Sequence, residues 1–295
     1  MYSKLVQKPT TDSQRRSTPK IDGHQHFWRF DAQRDLWITE NMSALRKDFL
    51  PEDLKPILEN AHLDGCIAVQ ADESEQENEF LLHLADHNPW IKGIVGWLDF
   101  TAADISPRLE YYKQFPAIKG FRYILQGNPK RDLMLTDTFV KNIGLLHTHD
   151  YTYDILVFPD QLQYAAQLVA QFPRQKFILD HLGKPDLKES YFHRWTTGVE
   201  ELAKYGNVYC KVSGMVTEAD WFSWDDANYQ YVLDVVTKSF GMERLVFGSD
   251  WPVCKLAASY YDVRRIVDQY YEVFPEEEKE KIFGGNAVSF YGLEQ

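Results

Sequence analysis

Apolar and polar positions along this chain fall into two alternating rhythms. Eight short runs rich in β-branched residues occupy residues 20–24, 65–70, 91–98, 118–124, 153–157, 176–180, 208–212 and 244–248. They lack a clean two-residue alternation, which predicts strands buried on both faces. Between them the apolar spacing changes to three and four. Leu54, Ile57, Leu58 and Ala61 follow Pro51 on one predicted helix face, and Phe80, Leu81, Leu84 and Ala85 on the next. Thr136 is placed to cap a helix carrying Phe139, Ile143 and Leu146. Further stripes are Leu162, Ala165, Val169 and Phe172; Trp195, Val199 and Leu202; Val232, Val235, Val236 and Phe240; and Val263, Ile266, Val267 and Tyr270. Gly241 stands where a helix C-terminus needs a glycine.

Strands alternating with helices predict parallel pairing through right-handed crossovers. Eight such units, with no linker-like stretch between them, predict one α/β domain, a (β/α)8 TIM barrel over residues 20–295. A doubly wound open sheet is the competing fold, but no G-x-G-x-x-G follows any strand. Residues 1–19 are polar and mildly basic without an apolar core, which predicts a flexible N-terminal tail rather than a targeting segment.

A barrel collects its chemistry at the C-terminal ends of its strands, and this rule sorts the nine histidines. His24 and His26 end the first strand. Two residues apart in extended chain, their side chains share one side with roots roughly 7 Å apart. Gly23, just before them and near Ile21, permits close backbone approach. His181 ends the sixth strand and Asp250 the eighth. A carboxylate beside several imidazoles suits general-base or metal chemistry. Asp180 is expected to point away from His181 and to orient or cap. A second H-x-H, His147 and His149, falls on the opposite rim, and His62, His83, His87 and His193 fall on helices or loops. Arg122 at the end of strand four suits a ligand carboxylate or hydroxyls. Lys184 and Lys211 are candidates for ligand contact or for internal ion pairs, and Trp28 and Trp251 for stacking or packing.

The charge of −12 argues against nucleic acid or an anionic membrane as partner, but not against a small ligand met by a local arginine. At 44% hydrophobic and 15% aromatic, the chain has material for a large core. Three cysteines, Cys66, Cys210 and Cys254, form no C-x-x-C pair and suggest a reducing, cytoplasmic setting. No run reaches the length of a membrane span.

Taken in order, DGHQHFW, KGFRYILQ, LDHLGKP, VYCKVSG, FGSDWP and NAVSFYG resemble the amidohydrolase superfamily across residues 20–293. The branch they resemble is the sugar-lactone and pyrone-lactone hydrolases, of the L-fuconolactonase and L-rhamnono-lactonase type. The resemblance implies a cytoplasmic hydrolase, working as monomer or homodimer, that opens a sugar-derived lactone. His24, His26, His181 and Asp250 would take the active-site positions, with Asp250 as general base. Relatives with two metals carry a bridging lysine or glutamate on strand four and a histidine on strand five. Here those strands offer Arg122 and YDILVFP, so a two-metal site is not expected. The resemblance implies no obligatory cofactor, and at most one Zn2+ on His24, His26, His181 and Asp250. Three other readings remain open. A pyrone-dicarboxylate lactonase would need a second cation, for which Arg131 is the candidate. A zinc-dependent decarboxylase of an aromatic acid would use a similar H-x-H. An inactive binding barrel would be expected to have lost part of the polar set, which is intact here.

Overall fold

The computed structural model describes residues 18–188 and 191–293, so the expected tail lies outside the described residues up to position 17. Eight parallel strands pair in chain order. They are β1 (Ile21–Gln25), β2 (Gly65–Val69), β3 (Ile91–Gly96), β4 (Ile118–Ile124), β5 (Thr152–Leu156), β6 (Phe177–Leu179), β7 (Val208–Val212) and β8 (Leu245–Phe247). The circle closes where Gln25 bridges Trp251 in parallel, with Asp250 N–H donating to His24 O (2.8 Å) and His26 N–H to Trp251 O (2.7 Å). The expected TIM barrel is therefore the observed fold. Gly23 is needed at this seam, because a Cβ there would lie 2.4 Å from Val246 Cγ1.

The helices are α1 (Pro51–Asn60), α2 (Glu75–His87), α3 (Ser106–Tyr112), α4 (Asp137–Leu146), α5 (Leu162–Ala170), α6 (His193–Ala203), α7 (Met215–Glu218), α8 (Tyr229–Phe240), α9 (Tyr260–Tyr271), α10 (Glu276–Glu280) and α11 (Asn286–Tyr291). The predicted stripes face the strands: Leu54, Leu58, Leu81, Phe139, Ile143, Val199, Leu202, Val232 and Val267 are all buried. Helix α3 was not predicted, since only Leu109 and Tyr112 of its seven residues are buried. Gly241 follows α8 at φ 68°, as expected of a C-terminal glycine. Thr136 precedes α4, but its hydroxyl donates back to Leu133 O and caps nothing.

Strands β6 and β8 are shorter than predicted because the chain turns left-handed directly beyond them. His181, Leu182 and Lys184 take φ of 52–56°, and Asp250 takes 55°. Such values are rare without a surrounding structure that enforces them, and functional sites are where they gather.

Inside the barrel, Ile21, Ile67, Val69, Val95, Ile178 and Val246 form an apolar layer of their own. Helix α11 closes the floor beneath it with Ala287, Phe290 and Tyr291. The filled floor leaves the opposite, C-terminal mouth as the place where polar groups meet. The three cysteines are free and buried, and no helix among the described residues is long and apolar enough to cross a membrane.

Candidate active site

The mouth is built from strand ends. His24 and His26, two residues apart on β1 and its continuation, bring their Nε2 atoms within 3.1 Å. Asp250 Oδ1 stands 3.4 Å from His26 Nε2, 3.8 Å from His24 Nε2 and 4.0 Å from His181 Nε2. The four residues expected to converge do so. Each outer imidazole is fixed from behind: His26 Nδ1 meets Val69 O at 2.8 Å, and His181 Nδ1 meets Ser213 Oγ at 3.0 Å. Partners on one ring nitrogen orient the other toward the mouth. Gly214, at φ 68°, leaves room for the His181 ring, since a Cβ there would come within 2.5 Å of Nδ1.

Asp22 ties the first and last strands together. Its Oδ1 accepts from His24 N–H (3.1 Å) and Ser249 N–H (2.9 Å), and its Oδ2 from the Tyr260 hydroxyl (3.1 Å).

Beneath the mouth lies a buried layer of charge. Asp180 corrects its expectation: it points inward on the same side as Ile178, and the left-handed turn at His181 brings that ring to the mouth as well. Its Oδ2 accepts from Arg122 (2.9 Å), and its Oδ1 faces Lys211 Nζ (3.0 Å) and His24 Nδ1 (3.4 Å). Lys211 also donates to Asp154 on β5 and lies 3.0 Å from His24 Nδ1. Lys211 is therefore not a ligand contact. It is fully buried among these three groups and does not reach the cavity. Arg122 does reach it, while its other nitrogens hold the backbone and side-chain oxygens of Gln70.

Burial without water dominates the protonation of these groups. It drives His24 well below the usual imidazole range, assisted by Lys211, and brings His181 down to about 4 against the pull of Asp250. Burial raises Asp154 to about 6, opposed by Lys211. For Asp180 burial acts upward too, but Lys211, His24 and Arg122 outweigh it and hold the carboxyl well below its ordinary value. Asp250 follows the same balance, lowered by His181 and His26 against burial. Near neutral pH the mouth thus presents a carboxylate at Asp250 and a neutral His181.

A cavity of about 520 Å³ opens above, within the range of small-molecule sites. His26, Arg122, His181 and Asp250 line its floor, while His24 sits one layer down, fully buried. Lys184 lines the wall as expected, paired with Glu218 at 2.6 Å. For Trp28 and Trp251, of the two roles open to them, packing is the one seen. Trp28 donates Nε1–H to Lys47 O and packs edge-on against Phe49, and Trp251 packs against Phe27 and Phe49. Both are at most 2% exposed and outside the cavity lining. The aromatic walls are Trp37, Phe158 and Trp221 instead. They sit on loops, where no periodicity announces them, as do Asp72 and Glu73.

Among the described residues, two groups of buried donors could hold an ion: His24, His26 and Asp250, and His24, Asp180 and His181. Zinc takes imidazole and carboxylate at about 2.0–2.2 Å in a tetrahedron. The observed separations of 3.1–4.0 Å about Asp250 and the histidines suit such a centre.

Comparison with known proteins finds relatives along nearly the whole chain. The amidohydrolase family model matches residues 21–293. The L-fucono-1,5-lactonase of Burkholderia multivorans is 38% identical over 285 residues, covering 93% of this chain and 96% of that protein. The L-fucono-1,5-lactonase of Burkholderia ambifaria is 30% identical over 94% of this chain and 97% of its own length. Among solved structures, an amidohydrolase from Burkholderia multivorans with bound zinc superposes with a TM-score of 0.89 at 38% identity, covering 94% of this chain and all of that one.

Proposed function

This chain belongs to the amidohydrolase family, and from that premise we propose that it is a lactonase hydrolysing the ring ester of a sugar-derived aldonolactone of the L-fucono-lactone kind. The supporting observation is joint: 38% identity along nearly the whole length of a named L-fucono-1,5-lactonase, and an ionised Asp250 beside His26 and His181 on the cavity floor.

In this reading Asp250 takes a proton from a water molecule as its oxygen attacks the ring carbonyl. Arg122 and the imidazoles at the floor stabilise the developing oxyanion. The tetrahedral centre then collapses, the ring oxygen leaves as alkoxide and receives the proton held on Asp250, and the acid product ionises. Arg122 also holds ring hydroxyls or the new carboxylate. A zinc ion held among His26, His181 and Asp250, with His24 as a donor only when one of its ring nitrogens is free, would supply Lewis-acid polarisation of the carbonyl and a more acidic water. The polar wall of Asp72, Glu73 and the Lys184–Glu218 pair offers acceptors and donors to hydroxyls.

A dicarboxylate substrate is disfavoured by charge. Arg131, the expected second cation, is engaged bidentately by Asp160, and the cavity wall carries Asp72 and Glu73. Decarboxylation releases CO2, whereas lactone opening releases a proton. A pH-indicator screen of aldonolactones, run as purified, after chelation and after zinc add-back, tests the proposal. Proton release with L-fucono-type lactones is the expected result, and no lactone turnover in any of the three states overturns it.

A further inference from the structure

We infer that Lys211 is a positioning residue that fixes the proton of His24 on Nε2, making His24 the donor that holds His26 rather than a ligand for an ion. The inference rests on the lactonase reading only for its kinetic consequence.

The assignment follows from the hydrogen-bond network read from both ends. At one end, a carbonyl oxygen can only accept, so His26 Nδ1 carries hydrogen and donates to Val69 O at 2.8 Å. In its neutral form His26 then has a bare Nε2, and the atom facing it at 3.1 Å, His24 Nε2, must carry the hydrogen. At the other end, a lysine ammonium can only donate. Lys211 Nζ is 3.0 Å from His24 Nδ1, which must therefore accept. Both ends independently require the same tautomer. The opposite one would aim an N–H at an ammonium.

The surroundings hold Lys211 to this task. Its ammonium donates to Asp154 Oδ2, lies against His24 Nδ1, and faces the Asp180 carboxylate as an ion pair at 3.0 Å. All four residues are fully buried, so the arrangement is sealed from solvent. Tyr291 steadies Asp154 from the floor, its hydroxyl 3.1 Å from Oδ2. The alternative partner for an N–H at His24 Nδ1 is Asp180 Oδ1, further away at 3.4 Å. Arg122 Nη1, 3.5 Å from His24 Nε2, gives its close bond to Asp180 instead. Both donor groups that could hold an ion include His24, so a network that engages both of its ring nitrogens withholds a ligand from each.

Two measurements on the full-length protein test this. Imidazole 15N spectra of the zinc-free wild type report the tautomer without any substrate. Hydrogen on His24 Nε2 is expected, and hydrogen on Nδ1 overturns the inference. Second, zinc affinity is compared between wild type and Lys211→Met/Asp154→Asn, which removes an ion pair as a unit and keeps the interior charge balanced. The double variant should move the hydrogen to Nδ1, facing Asp180, and bind zinc at least about tenfold more tightly as His24 Nε2 joins the donors. Its zinc-free lactone turnover should fall about 10–100-fold in kcat. An unchanged tautomer with unchanged zinc affinity overturns the inference, and if the variant does not fold, the wild-type spectrum decides. Failure of the lactonase reading shows separately, as absence of turnover by wild type.

Discussion

Asp250 Oδ1 lies 3.4 Å from His26 Nε2, and the main chains of the two loops hold that distance by two bonds across the barrel seam, His26 N–H to Trp251 O and Asp250 N–H to His24 O. The pair is thus set by the closure of the barrel rather than by side-chain choice. Asp250→Asn keeps the shape and removes the base. It should retain the circular-dichroism spectrum and melting temperature of wild type while kcat on the best aldonolactone falls at least about a hundredfold. Activity within a fewfold of wild type would remove Asp250 from the chemistry.

Gly214 sits at φ 68° against His181, where an added Cβ would come within 2.5 Å of Nδ1. Gly214→Ala should push the ring off Ser213 and lower kcat about 10–100-fold. Backbone strain should cost about 1–3 kcal/mol of stability in urea titration. A variant that loses stability but keeps kcat would show that the His181 orientation is not needed.

The protonation of Glu77 gives a pH signature separate from catalysis. This carboxyl accepts from Ala71 N–H at 2.8 Å in the loop lining the cavity, and burial raises it from 4.5 to about 7. The folded state therefore binds the proton more tightly than the unfolded chain. Stability falls as pH rises from about 4.5 to 7, and the penalty is complete above that window. Glu77→Gln retains an acceptor for Ala71 and removes the penalty. At pH 8 it should be more stable than wild type by about 1–3 kcal/mol, with the difference vanishing near pH 4. Thermal melts across this range check it, and a constant difference would refute it.

Trp37 and Trp28 touch edge-on, with ring centroids 5.7 Å apart, yet they face different surroundings. Trp37 is 41% exposed in the cavity wall, and Trp28 is 2% exposed in the core. Trp37→Ala should raise KM severalfold with little change in melting temperature. Trp28→Ala should cost about 3–5 kcal/mol of stability. Equal effects on KM from both would contradict the assignment.

The parts of this molecule that were legible in its sequence are those governed by periodicity. Alternating strand and helix spacing led to the barrel, and the rule that chemistry gathers at strand ends picked His24, His26, His181 and Asp250 from among the titratable residues. The misreadings arose where periodicity stops. Asp180 was expected to face away from His181, but Asp180 follows Ile178 inward and the left-handed turn swings His181 to the same mouth. Asp154 lies within a strand that reads as ordinary core, and only the curvature of the sheet gathers it and Asp180 around the Lys211 ammonium. Trp37 and Trp221 belong to loops, whose positions no spacing encodes.

Helix α11 stoppers the barrel from below and follows all eight strands in chain order. During synthesis the strands leave the ribosome first, so the interior cannot be drained while residues 286–293 are still in the exit tunnel. Asp154, Asp180 and Lys211 therefore keep their hydration until the last moment of assembly. A nascent chain arrested before α11 should stay wet inside and be readily cut by proteases.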